Sequence, residues 1–173
     1  MRNCFQAPHP YLVRHLNRLP HRGLALDATL GFGGNASLLI RHGLQVIGVD
    51  IAEVAAHHAK ACLPNLMAVI GDLTRFDLPA EKFDVIVNFY YLRRSLWPQY
   101  IRALKPRGIL VFETFTQDML CQDPAIDPNC LLIPNELRSN FSASLEIIEY
   151  QEHWVPGERL KSLASLVARK PAA

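Results

Sequence analysis

The sequence predicts an α/β fold built on one doubly wound sheet, mostly parallel and finished by a C-terminal antiparallel hairpin. Three observations predict it. Short apolar runs alternate with helix-spaced segments between residues 24 and 112, as in a parallel sheet covered on both faces. A glycine-rich turn, Gly31-Phe32-Gly33-Gly34, separates the first run from a helix. Two late runs, 145–150 and 160–168, flank Pro156-Gly157, and a turn of that kind favours a hairpin over another crossover.

The chain of 173 residues fits a single domain, 1–173, which buries about 70% of its unfolded surface. Within it, 1–22 reads as a helical cap, 23–115 as the binding core, and 116–173 as a lid-like loop, short helix and hairpin. The net charge is +2, too small to signal a polyelectrolyte partner. Nucleic acid is not excluded by it. No apolar run reaches membrane-spanning length and the N-terminus has no apolar signal core, so no membrane partner is expected. Cys4, Cys62, Cys121 and Cys130 are scattered without a CxxC pair. They read as reduced thiols, which places the protein in the cytoplasm.

Taken in order, Tyr11, Leu12, His15, Leu16 and Leu19 recur at helical spacing between Pro10 and Pro20, so a short amphipathic helix opens the chain. Leu24, Ala25 and Leu26 form a buried strand that ends at Asp27. Helix 35–42 follows the glycine turn, and strand 46–49 runs into Asp50. Residues 51–63 are alanine-rich and helical until Pro64 stops them. Strand 66–70 ends in Gly71 and Asp72, and 73–82 is a loop. Strand 83–87 ends at Asn88. Helix 95–104 carries Pro98 in its first turn, 106–108 is a turn, and 109–112 is the fifth strand. Residues 117–130 are irregular, with Asp123-Pro124 and Asp127-Pro128, and 135–141 is a short helix.

Right-handed crossovers put the C-terminal ends of all parallel strands at one edge. Asp27, Asp50, Asp72 and Asn88 occupy four such ends beside one glycine turn. They define a crevice of the kind that takes nucleotide-like ligands. Gly31-x-Gly33-x-x-Ala36 fits the dinucleotide pattern, and Asp50 lies 17 residues past Gly33, where an acid reaches ribose hydroxyls. The glycines alone leave nicotinamide, flavin and S-adenosylmethionine open. Asp27 ahead of the turn opposes a pyrophosphate but suits a methionine ammonium or sulfonium. The closing hairpin replaces a second mononucleotide half. Asp72 is placed to accept from an adenine amino group. No Lys-Ser/Thr pair follows the glycines, so a P-loop is excluded.

These stretches resemble the class I S-adenosylmethionine-dependent methyltransferases. LALDATLGFGGNA is similar to their first motif, GVD at Asp50 to the second, GDL at Asp72 to the third, FDVIVNFYYL to the fourth, and LKPRGILVFETFT to the turn and fifth strand. The likeness covers about residues 20–169. PHPYLVRHLNRLP and LLIPNEL resemble the small tellurite-resistance and thiopurine-type branch. The family implies a Rossmann-like, seven-stranded methyltransferase-type sheet, the cofactor S-adenosylmethionine and its product S-adenosylhomocysteine. Two positions depart from it. Thr29 stands where the family has its first Gly, and Leu30 where it has a small residue. Either this turn keeps negative φ at Thr29 or the cofactor cavity is altered. DATLGFGG also resembles some RNA methyltransferases.

The resemblance and the spacing together assign roles. Asp50 accepts from the ribose hydroxyls, or serves as a helix cap. Gly31 and Gly33 let the main chain meet the methionine part, or simply make a tight turn. Asp27 holds its ammonium, or makes a structural hydrogen bond to the turn. Asn35 is counted with the cofactor-binding residues. Ile51 and Leu73 sandwich the adenine, with Asp72 as its polar partner. Asn88 and Phe89 lie under the methyl-donor end. Tyr90, Tyr91 and Arg94 are placed on the acceptor side. No metal ligand set is recognisable, since His57 and His58 are adjacent and no HxxxH occurs. No general base is recognisable either, so the catalytic residue stays unknown and soft, small-molecule acceptors are favoured. The leading expectation is a small-molecule methyltransferase. RNA methylation, non-catalytic cofactor binding and a nicotinamide enzyme are the alternatives. The acceptor and the oligomeric state are not set by the sequence.

Overall fold

The computed structural model describes residues 6–157 and 160–172. Seven strands form one sheet: β1 (Leu24–Asp27), β2 (Gln45–Asp50), β3 (Met67–Ile70), β4 (Phe83–Phe89), β5 (Leu104–Phe115), β6 (Glu146–Val155) and β7 (Lys161–Arg169). Their order is β3-β2-β1-β4-β5-β7-β6. The first five are parallel, and β7 pairs antiparallel with both β5 and β6. The order turns back between β1 and β4, and that switch point opens the crevice.

Five helices cover the sheet: α1 (Pro10–His15), α2 (Gly34–His42), α3 (Glu53–Cys62), α4 (Trp97–Ala103) and α5 (Glu136–Phe141). Strand alternation divides the core into two layers. Ala25, Val46, Val85, Val87 and Val111 pack with Leu12, Leu39, Ala56 and Ala59 of α1, α2 and α3. Leu26, Ile86, Leu110 and Phe112 pack with Trp97, Tyr100, Leu137 and Phe141 of α4 and α5. Helix α2 stops at Gly43, whose φ of 110° sits in the left-handed region and whose N–H satisfies the carbonyls of Ile40 and Leu39.

The expected strands and the hairpin are present, with small shifts at their ends. β6 is longer than expected, running past Tyr150 to Val155, while β7 keeps the expected length, displaced by one residue. The turn at 106–108 lies inside a continuous β5. Arg107 takes φ of 64° there and the β4–β5 register shifts between Phe83 and Val85. The cap begins as expected at Pro10, while residues 1–5, including Cys4, lie outside the described residues. One expectation fails: Cys62 is disulfide-bonded rather than reduced. Cys121 and Cys130 are free and exposed. Cys62 therefore gives no support to a reducing compartment.

Candidate active site

Asp27, Asp50 and the Gly71-Asp72 corner meet at the carboxyl edge of β1, β2 and β3. With Thr29, Ile51 and Leu73 they line a cavity of about 410 Å³, Asp27 excepted, since it lies fully buried beneath. Phe89, Tyr90 and Tyr91 close its other side.

Asp50 holds the crevice together before any ligand arrives. Its Oδ2 accepts from Gly31 N–H at 2.7 Å and its Oδ1 from Ala52 N–H at 2.8 Å. The N-cap of α3 is Ala52, so Asp50 fixes the residue before the helix rather than capping it directly. A carboxylate has about four acceptor positions, these two bonds do not fill them, and Asp50 lines the cavity.

Asp27 is buried at the end of β1. Oδ1 accepts from Thr29 N–H at 3.2 Å, while Oδ2 has no hydrogen-bond partner. Burial lifts its pKa to about 7, and the nearby Asp50 adds to the rise against the N–H groups of Thr29 and Ala36. An orphaned buried acceptor of this kind suits a cationic group.

The glycines divide the work. Gly31, at φ of 50°, lines the turn-side cavity, and a Cβ there would meet only the Thr29 carbonyl at 4.0 Å. Backbone and ligand can come close at that point. Gly33 does not line the cavity. It is buried, and a Cβ would press on Ala59 at 3.0 Å and Leu63 at 3.3 Å. It packs α2 against α3. Asn35 is taken up by the N-terminal segment, its Oδ1 accepting from His9 N–H at 2.8 Å.

Ile51, Asp72 and Leu73 come together along one wall of this cavity. Ile51 is 73% exposed although it faces the cavity, and Leu73 is buried beneath it. Asp72 caps a short 3₁₀ turn, accepting from the N–H and Oγ1 of Thr74 through Oδ1. Those bonds lower its pKa.

The departure at Thr29 has a structural reason. Thr29 is not among the residues with positive φ. Its Oγ1 accepts from Phe89 N–H at 3.2 Å, so the side chain ties β1 to the end of β4. Leu30 fits because Gly48 of β2 leaves room for it; a Cβ on Gly48 would lie 2.6 Å from Leu30 Cδ1.

After β4 the chain turns sharply. Tyr90 holds φ of 58°, a costly conformation for a bulky residue, and such strain concentrates at functional sites. Asn88 braces the turn instead of facing the cavity. Its Nδ2 donates to the Tyr91 carbonyl at 2.8 Å and its Oδ1 accepts from Tyr100 OH at 3.1 Å. Tyr90 stacks on Phe115 with ring centroids 5.0 Å apart.

A second cavity, about 290 Å³, lies beside the first and shares Tyr90, Tyr91 and Arg93 with it. Phe115, Met119, Ile126 and Leu131 make it apolar. Arg94, expected on the acceptor side, is committed elsewhere. It forms a bidentate pair with Glu136 at 2.5 and 2.8 Å and donates to the carbonyls of Asn129 and Leu131 at 3.0 Å. It clamps the cavity wall rather than entering the cavity.

Sequence reading missed four residues here. Arg93 lines both cavities. His9 stacks on Phe89 at 4.1 Å and is edge-on to Tyr90. Its Nε2 lies 3.3 Å from Glu113 Oε1 without hydrogen-bond geometry, and burial lowers its pKa to about 4. Glu113 accepts from Ser165 Oγ at 2.5 Å, and burial raises its pKa. Lys161 lines a third cavity beside the glycine turn. His9 and Lys161 lie far from the motifs in sequence, so spacing carried no signal for them.

Residues 25–108 match the family model of the methyltransferase domain. That match marks a methyltransferase domain over just under half of the chain. A probable S-adenosylmethionine-dependent methyltransferase of Mycolicibacterium smegmatis is 33% identical over 106 residues, covering 56% of this chain and 41% of that protein. The ubiquinone biosynthesis O-methyltransferase of Coxiella burnetii is 30% identical over 102 residues, 54% of this chain and 44% of that protein. The matched stretch thus spans less than half of either relative. TehB from Haemophilus influenzae shares the fold, with a TM-score of 0.80 at 20% identity over 94% of this chain and 62% of that one. The site fits S-adenosylmethionine, the donor named for the mycobacterial relative, on three counts: the Asp27 oxygen without a hydrogen-bond partner, the open backbone at Gly31, and Ile51 exposed at the cavity.

Proposed function

We propose that the protein transfers a methyl group from S-adenosylmethionine to a small, largely apolar acceptor. One observation carries the reading: the cavity at the strand ends, with its acids, shares Tyr90, Tyr91 and Arg93 with a neighbouring apolar cavity. In this assignment Asp50 takes the ribose hydroxyls with its open acceptor positions. Ile51 and Leu73 flank the adenine, and Asp72 offers Oδ2 to its amino group. Gly31 gives the methionine part access to the main chain, and Asp27 receives its ammonium. Phe89 and Tyr90 lie under the reacting end. Gly33, Asn35 and Asn88 act by packing and bracing, and Arg94 by fixing the wall.

When bound, the cofactor supplies an activated sulfonium methyl with a neutral leaving group. The chain's own work is alignment and water exclusion. The apolar cavity is lined by no histidine and no carboxylate among the described residues. That supports an acceptor already ionised or soft enough to need no strong base, such as a thiolate or an acidic phenol. The O-methyltransferase name of the Coxiella relative agrees with an oxygen acceptor on an apolar body. Residues 1–173 then work as a single unit. No helix among the described residues is long and apolar enough to cross a membrane.

Calorimetric titration with S-adenosylmethionine, S-adenosylhomocysteine and NAD tests the donor. Micromolar binding of the first two and none of NAD is expected; the opposite pattern overturns it. Labelled methyl transfer to a panel of thiols and phenols, with bulk tRNA alongside, tests the acceptor class. Transfer to the RNA alone overturns the small-molecule reading.

A further inference from the structure

The glycine turn, the N-terminal segment and the start of β7 enclose a third cavity of about 380 Å³. It shares Thr29, Phe89 and Tyr90 with the donor cavity. Its polar side chains include His9, Asn35 and Lys161. Of these, Asn35 is used by His9 N–H, and His9 is kept neutral by burial near pH 7. Lys161 is the one cation that lines it among the described residues.

Lys161 reaches this place because β7 is antiparallel. Its first residue, not its last, lies at the carboxyl edge of the parallel strands. Leu163 pairs with Phe115 at the end of β5, and Lys161 extends past it. The ammonium sits 5.4 Å from the centre of the Tyr90 ring, held over a π face. No ion pair engages it among the described residues. Glu113 and His9 both feel its charge, which opposes the rise at Glu113 and adds to the fall at His9. Asp27 lies beneath the same turn with an unpartnered Oδ2. An unpaired cation and an orphaned buried carboxylate oxygen thus flank one glycine turn. A zwitterionic amino-acid group is the ligand chemistry that matches both.

We propose that Lys161 binds the α-carboxylate of the cofactor's methionine part, opposite Asp27 at its ammonium. This rests on the donor reading above and adds a contact from the last strand. The pair would make the site selective for cofactors that keep their carboxylate, since a charged hydrogen bond to it is lost with either partner.

The test compares three ligands on the wild type and Lys161→Met: S-adenosylhomocysteine, decarboxylated S-adenosylmethionine and 5′-methylthioadenosine, which lacks the amino-acid part. Affinities are read by calorimetry, with no dependence on turnover. Lys161→Met is expected to weaken S-adenosylhomocysteine about tenfold or more. It should leave 5′-methylthioadenosine within about twofold, which also shows that the variant is folded. Decarboxylated S-adenosylmethionine should be nearly blind to the substitution. Equal losses for all three ligands, or no loss for S-adenosylhomocysteine, overturn the proposal. Failure of the wild type to bind any of the three overturns the donor reading itself.

Discussion

The hydroxyl of Thr29 accepts a hydrogen bond from the backbone N–H of Phe89, 60 residues away, at 3.2 Å. It ties the first motif to the strand that ends under the reacting centre. Thr29→Val keeps the shape and removes the acceptor, leaving the Phe89 N–H without this partner. A loss of about 1–3 kcal/mol is expected. Thr29→Ser should retain most of the stability. Chemical denaturation of the three proteins checks this, and equal stability of the Val variant would remove the tie from the account.

Most of the fold was legible because its signals are local. Apolar runs mark the strands, Gly33 and Gly43 bracket α2, and the strand-end acids mark the crevice. The cavity lining was legible where a residue's placement follows from a strand end, as with Asp50 and Asp72. It was not where tertiary partners decide. Asn88 and Arg94 look like ligand-facing residues in sequence, yet Tyr100 and Glu136 claim them. His9 and Lys161 reach the site through chain packing and an antiparallel strand. Neither leaves a periodic signal.

Asp50 bridges Gly31 and Ala52 through separate oxygens. Asp50→Ala removes both bonds and the ribose contacts together. S-adenosylmethionine should bind at least about tenfold more weakly, or ~1.4 kcal/mol. Asp50→Asn keeps one acceptor oxygen and should fall between. Calorimetry on variants that still melt cooperatively separates the loss of binding from unfolding. Undiminished affinity in a folded Ala variant would sink the ribose assignment.

Asp27 makes stability depend on pH. Burial raises its folded pKa to about 7 from 3.8. Between those values the native state holds a proton that the unfolded chain has released. The stability contributed by this group therefore falls as pH rises from about 4 to about 7 and is level above that. At ~1.4 kcal/mol per unit the full effect is a few kcal/mol at most. Asp27→Asn should flatten this part of the melting-temperature profile while weakening S-adenosylmethionine binding, because an amide cannot neutralise the ammonium. A profile unchanged by the substitution counts against the buried carboxylate as its source.

Arg94 closes the apolar cavity's wall through Glu136 and the carbonyls of Asn129 and Leu131. Arg94→Ala should free residues 117–131 and raise their rate of limited proteolysis severalfold. Glu136→Gln should do so to a smaller degree, since it keeps one acceptor oxygen. Donor affinity should stay within about twofold in both, as neither residue lines the donor cavity. A large loss of donor binding in Arg94→Ala would overturn the confinement of Arg94 to the apolar cavity's wall.

Ile126 offers the cleanest separation of the two cavities. It lines the apolar one with Met119 and Leu131 and is absent from the donor cavity. Its side chain is half-buried, so Ile126→Trp can fill the cavity with little overpacking of the core. S-adenosylhomocysteine affinity should hold, while KM for an apolar acceptor rises about tenfold or more. Two outcomes would count against an acceptor seated between Tyr91 and Leu131. One is a fall in both affinities; the other is an unchanged KM for every acceptor that the wild type turns over.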